Sequence, residues 1–198
     1  IWSVYTECLH GMPSKCPIRV AVPVNLRPYF NSITTKNFFV MVSAEFHPTK
    51  ETYTFAEVAA IVKESLRSQI NRENLEKLFS YNVSNEKLLI ARVVPLFLKN
   101  LAMKYVYTTS ALANTATITN IGNISVTEEY RPYVEMFHAF LAMSKGQHLK
   151  GTICSYGDTL VFSFSYDLTD TSVQRGFFRK IAADGIAVEI ETNGVNYE

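Results

Sequence analysis

The sequence predicts an α+β domain: a mixed, mostly antiparallel sheet with helices packed on one face. Three observations lead there. Several short runs alternate apolar and polar residues with the period of half-buried strands. Other stretches repeat apolar residues at helical spacing behind capping-box starts. Strands that follow one another in sequence have short connections, which favours antiparallel pairing. The 198 residues are 47% hydrophobic and 19% charged, enough for one sizeable core. No internal repeat and no Pro- or Ser-rich linker divides the chain, so one domain over 1–198 is expected.

The elements follow in order. Ile1, Tyr5, Cys8, Leu9 and Met12 share one helical face, with Gly11 as a stop. Over 18–26, Ile18, Val20, Val22, Val24 and Leu26 alternate with Arg19, Ala21, Pro23 and Asn25. Pro23 argues for an edge or a bulge in that strand, because proline has no amide proton to give a ladder. A second alternation covers 37–47, with Phe38, Val40, Val42, Ala44 and Phe46 on one side.

Thr54 and Glu57 then have capping-box spacing, and Phe55, Val58, Ala59, Val62, Leu66 and Ile70 form a helical stripe. Asn71-Arg72-Glu73-Asn74 reads as a break before Leu75, Leu78 and Phe79. Ser84 is the expected cap of a further helix with Leu88, Leu89, Val93, Leu96, Phe97 and Leu101 as its stripe. Pro95 should kink or split that helix.

Residues 114–120, 134–143, 148–156 and 159–167 read as extended. Gly157-Asp158, between two of these runs, is a type II′ hairpin signal. Thr171 and Gln174 repeat the capping-box spacing ahead of Val173, Phe177, Ile181 and Ala182, and Gly185 can end that helix. Ile186, Val188 and Ile190 suggest a closing strand. One interruption stands out: Asn120-Ile121-Gly122-Asn123 breaks a strand, as a bulge or a close backbone approach would.

Composition removes several classes of function. A formal net charge of +1 gives no electrostatic case for nucleic acid or an anionic membrane. No apolar run reaches membrane-spanning length. Cys8, Cys16 and Cys154 are odd in number and match no zinc or redox spacing, so three reduced thiols in a cytoplasmic protein are expected. The sequons at Asn82 and Asn123 have no signal peptide beside them. The chain opens at Ile1 inside an apolar pattern, which suggests a piece of a longer protein.

Chemistry is sparse. There is no glycine-rich phosphate loop and no G-x-S-x-G elbow. His10, His47, His138 and His148 have no second His or Cys at metal-ligand spacing, so no metal site is expected. Asp167 and Asp170 bracket a turn where capping suffices as a role. Arg27, at a strand end, either ties a loop or binds an anion; tying is the commoner use of such a fork.

Three stretches taken in order resemble the CoA-dependent acyltransferase superfamily. "VAVPVNLRPYF" (20–30) followed by "KNFF" (36–39) resembles its strand–loop–strand segment. "TITNIGNI" (117–124) resembles its Ser/Thr-Asn-x-Gly segment, and "LVFSFSYDLTDTSVQRGFFRKIAADGI" (160–186) its closing strand and helix. The superfamily includes chloramphenicol acetyltransferase, alcohol acyltransferases and condensation domains. The likeness is to its C-terminal half only.

That resemblance implies a chloramphenicol-acetyltransferase-like half whose partner is the N-terminal half of the same protein. The family's base sits in a His-x-x-x-Asp motif of that other half. Here the residues four after His10, His47, His138 and His148 are Ser14, Glu51, Ala142 and Thr152, so no catalytic residue is expected in this chain. The family activates an alcohol or amine to attack an acyl thioester, since a neutral hydroxyl is a poor nucleophile.

The implied co-substrate is acyl-CoA or an acyl carrier protein, with no covalently held cofactor. Thr119 or Asn120 matches the place of a donor to the tetrahedral oxyanion, and the resemblance implies Thr119, Asn120, Arg27 and Asn37 as the substrate-binding residues. Lys36 stands where the family commonly has Gly, and the Asp-Phe-Gly-Trp-Gly motif of plant members is missing. The alternative expectation is a non-catalytic, condensation-like docking module. An isolated half would self-associate through the apolar surface that meets its partner.

Overall fold

The computed structural model describes residues 1–87 and 94–193. Five strands form one mixed sheet in the order β2-β1-β3-β4-β5: β1 (Ile18–Asn25), β2 (Phe39–Phe46), β3 (Ala116–Asn123), β4 (Leu149–Tyr156) and β5 (Thr159–Tyr166). The outer pairs, β1–β2 and β4–β5, are antiparallel over eight register positions each. The inner pairs are parallel: β1–β3 joins at two positions and β3–β4 at six. The helices are α1 (Phe55–Gln69), α2 (Arg72–Lys87), α3 (Leu96–Leu112) and α4 (Ser172–Ala183). This is the expected α+β architecture, mostly antiparallel by paired positions.

The apolar positions of β1 and β2 set which face is covered. Val20, Ala44 and Ala116 are buried under Val62 and Leu66 of α1. Leu26, Val40 and Val42 enclose Leu75 of α2. Phe162 and Phe164 of β5 meet Phe177 of α4, with ring centroids 4.5 and 5.3 Å apart. Each fully buried large side chain among these contributes roughly 1.5–3 kcal/mol relative to exposure.

Helix starts follow their side chains. Thr54 and Glu57 form the expected capping box at α1. Asn71 caps α2, its Oδ1 accepting from the Asn74 amide at 2.9 Å. Leu98 and Lys99 both donate to the Pro95 carbonyl, so the proline lies at the α3 start, where its missing N–H costs nothing.

The edge strand β2 is closed by α1. Gln69 Oε1 accepts from the Ser43 amide at 3.2 Å, and Gln69 Nε2 donates to the Ser43 carbonyl at 2.8 Å. The Glu45 amide donates to Ser65 Oγ at 3.1 Å. A bare edge would otherwise present these groups to another strand.

Several expectations are corrected. The first segment makes a π-turn over Val4–Cys8, with the Leu9 amide on the Val4 carbonyl. The wider turn keeps Tyr5 and Leu9 packed but turns Cys8 and Met12 outward. Ser84 lies inside α2 and starts no helix. The stripe residues Leu88, Leu89 and Val93 lie outside the described residues. The Thr171–Gln174 box does not form: Thr171 makes no side-chain cap bond, and Asp170 accepts from the Ser172 amide at 2.9 Å instead.

Residues 134–143 belong to no strand, and β4 itself is flanked on both edges by β3 and β5. The segment lies over the sheet face opposite the helices. Cys154 Sγ donates to the Phe137 carbonyl, and the Phe137 and Tyr156 rings meet edge to face at 5.3 Å. Residues 186–190 form no strand either; Ile186 and Ile190 are exposed. α3 stands apart from the core, with Leu101 67% and Tyr105 72% exposed.

Candidate functional site

The interruption in β3 is a bulge. The register on β4 shifts between Asn120 and Gly122, and Gly122 has φ +85°, a left-handed conformation natural to glycine. Asn120 Oδ1 accepts from the Gly122 amide at 2.9 Å and holds the step. Its amide NH2 has no partner among the described residues.

Pro23 shapes the neighbouring strand. The Arg19 amide points toward β3, where it donates to Thr115 Oγ1 at 3.2 Å, so the even steps at Ala21 and Pro23 face the same way. Pro23 has no N–H to donate there, and the β1–β3 ladder ends at Ala21–Thr117. The sheet is therefore open between β1 and β3 toward their C-terminal ends. Pro23 sits on an interior strand, but at a stretch that behaves as an edge.

Side-chain alternation gives the two faces different chemistry. Ile118 lies on the helix side, where its Cγ1 is 3.3 Å from the position a Cβ would take on Gly151. Thr117 and Thr119 therefore face the other side. Thr119 is the register partner of Thr152, and Thr152 of Ser163, so three hydroxyls cross β3, β4 and β5 in one row. The adjacent row is Thr117, Lys150 and Ser165. Lys150, Thr152 and Ser163 are buried as residues. The Thr119, Thr152 and Ser163 hydroxyls have no hydrogen-bond partner among the described residues, but none of the three oxygens is fully enclosed; the enclosed, unpartnered atoms are Tyr156 Oη and Gln174 Oε1.

The four expected site residues share one end of the sheet. Parallel β1 and β3 finish there and antiparallel β2 starts there, so Arg27, Asn37, Thr119 and Asn120 all lie toward it. No hydrogen bond links the Arg27–Asn37 loop to the Thr119–Asn120 step.

Arg27 is a loop staple: Nη2 donates to the Thr34 carbonyl at 3.0 Å and the Lys36 carbonyl at 2.7 Å, and Nη1 to Asn25 Oδ1 at 3.3 Å. Asn37 is exposed with no side-chain partner among the described residues.

Sequence reasoning missed Lys150, Thr152 and Ser163. Part of the signal was present: counting outward from the Gly157-Asp158 turn pairs Thr152 with Ser163 and Lys150 with Ser165. The same count sets His148 against Asp167, whose Oδ1 is 2.9 Å from His148 Nδ1. The β3–β4 register needed the structure.

Among the described residues no three His, Cys, Asp or Glu side chains gather as a metal site, and no helix is long and apolar enough to cross a membrane. The chain matches no protein-family model, no curated protein and no solved structure.

Proposed function

We propose that this chain is the C-terminal half of an acyltransferase that moves an acyl group from CoA or a carrier thioester to an alcohol or amine. The reading rests on the ordered resemblance of its three segments. The observation that carries it is the Thr119–Thr152–Ser163 row of unpartnered hydroxyls beside the β3 bulge. In this reading the N-terminal half supplies the His-x-x-x-Asp base and meets this face at its Thr119 end, since residues 137–142 already lie over Lys150 and Cys154.

Thr119 Oγ1 is the donor offered to the tetrahedral oxyanion, where a preorganised donor counts most; Asn120, the next residue, projects to the opposite, helix-covered face. Asn120 serves this reading through the bulge, which its oxygen holds by accepting the Gly122 amide. Arg27 contributes through the shape of the 26–38 loop, since its donors are engaged within the loop and with Asn25.

The test is made on the parent protein. Its N-terminal half should carry His-x-x-x-Asp, and Thr119→Ala in the full-length protein should lower kcat by roughly 10²-fold with unchanged folding. A parent without the His, or turnover unchanged by Thr119→Ala and Asn120→Ala, would leave a docking module instead of an enzyme half.

A further inference from the structure

Lys150 is only 7% exposed, on the sheet face away from the helices. Its ammonium donates to the Ala142 carbonyl at 2.6 Å and to Ser144 Oγ at 2.9 Å. Both acceptors are neutral. No carboxylate lies within ion-pair distance of it among the described residues. The acidic residue at the same end of the β4–β5 hairpin, Asp167, is held by His148. A cation buried among neutral acceptors is costly unless a counter-charge joins it.

Two neighbouring groups keep a donor in reserve. An ammonium has three N–H bonds and two are used here. Ser144 accepts from Lys150, so its own O–H remains to donate. The chain turns sharply beside them: the Gln147 amide donates to the Ser144 carbonyl at 3.0 Å, and Gly146 has φ +83°. Lys145, exposed in that turn, adds a second cation at the solvent side. Thr117 and Ser165 flank Lys150 in its row.

We propose that Lys150 and Ser144 form a binding site for a small oxyanion, the phosphate or carboxylate group of a ligand, with Lys145 at its lip. The site lies near the start of β4, at the sheet end opposite the β3 bulge. It does not depend on the acyltransferase reading.

The experiment titrates the chain with inorganic phosphate and, separately, acetate, at ionic strength held constant with chloride. Amide shifts of Ser144–Gln147 report binding. A saturable one-site response to at least one anion is expected; phosphate alone points to a phosphomonoester ligand and acetate alone to a carboxylate. Lys150→Met should abolish the response, and Ser144→Ala should weaken it about tenfold, the loss of one charge-assisted hydrogen bond. No saturable response to either anion overturns the proposal, as does an equal response in Lys150→Met. If Lys150→Met does not fold, Ser144→Ala decides, and unchanged affinity there overturns it.

Discussion

The side-chain oxygen of Asn120 accepts the amide proton of Gly122 at 2.9 Å, across the step where β3 changes register on β4. The bond closes a local turn inside a strand. A Cβ built on Gly122 would meet nothing within 4 Å, so a side chain there is limited by the backbone and not by space. Gly122→Ala should cost about 1–2 kcal/mol in urea denaturation, the penalty of a left-handed L-residue. Gly122→Asn should lose less, since asparagine visits that region more readily. Equal losses would place the constraint elsewhere.

Gln69 occupies both the amide and the carbonyl of Ser43 on the outer edge of β2. Gln69→Ala removes both bonds and uncovers an edge. Stability should fall by about 1–2 kcal/mol, and light scattering should show concentration-dependent association. A variant as monodisperse as the parent would mean that the remaining Glu45–Ser65 bond guards the edge by itself.

The elements most legible in the sequence are those whose periodicity and turn chemistry agree. β1, β2, β4, β5 and α1 fall within about two residues of their expected bounds, and the hairpin turn keeps positive φ at Gly157 alone, as type II′ requires. Residues 134–143 show why the same signal misleads. Their burial alternates apart from one slip at Met136–Phe137, but they press one side onto a sheet face and pair with no strand among the described residues. Alternation reports a segment with one side covered, and hydrogen-bond partners are a separate question.

Site residues divide in the same way. Thr119 and Asn120 were marked by the broken strand. Lys150 gave no sign, because its burial depends on a strap arriving from residues 134–144. Pro23 was readable as a ladder-breaker, but only the parity of the Arg19 amide shows which ladder it breaks.

Glu57 predicts an acid-sensitive helix start. Its carboxyl is lowered from an ordinary 4.5 to about 2, first by the Lys50 ammonium and then by the Thr54 amide and hydroxyl. A carboxylate with a depressed folded-state pKa stabilises the fold above its unfolded value, and that stability disappears as pH falls through the folded value. The melting temperature should therefore decline between about pH 5 and pH 2. Glu57→Gln should flatten that part of the curve while lowering its neutral-pH plateau. Parallel curves would remove Glu57 from the acid response.

Arg27 yields the prediction that separates a loop staple from an anion binder. Its Nη2 reaches the Thr34 and Lys36 carbonyls while Nη1 holds Asn25 Oδ1 and Nε the Thr34 carbonyl, a set of bonds spread over three nitrogens that one ammonium nitrogen does not reproduce. Arg27→Lys keeps the charge and loses the fork. If stapling is its work, the variant should lose about 1 kcal/mol, a value held low by solvent exposure, and amide exchange should quicken across residues 28–38. Added phosphate should not reverse either change, because no anion completes the staple. Wild-type exchange in Arg27→Lys, or recovery on adding phosphate, would return Arg27 to the role of a ligand-binding residue.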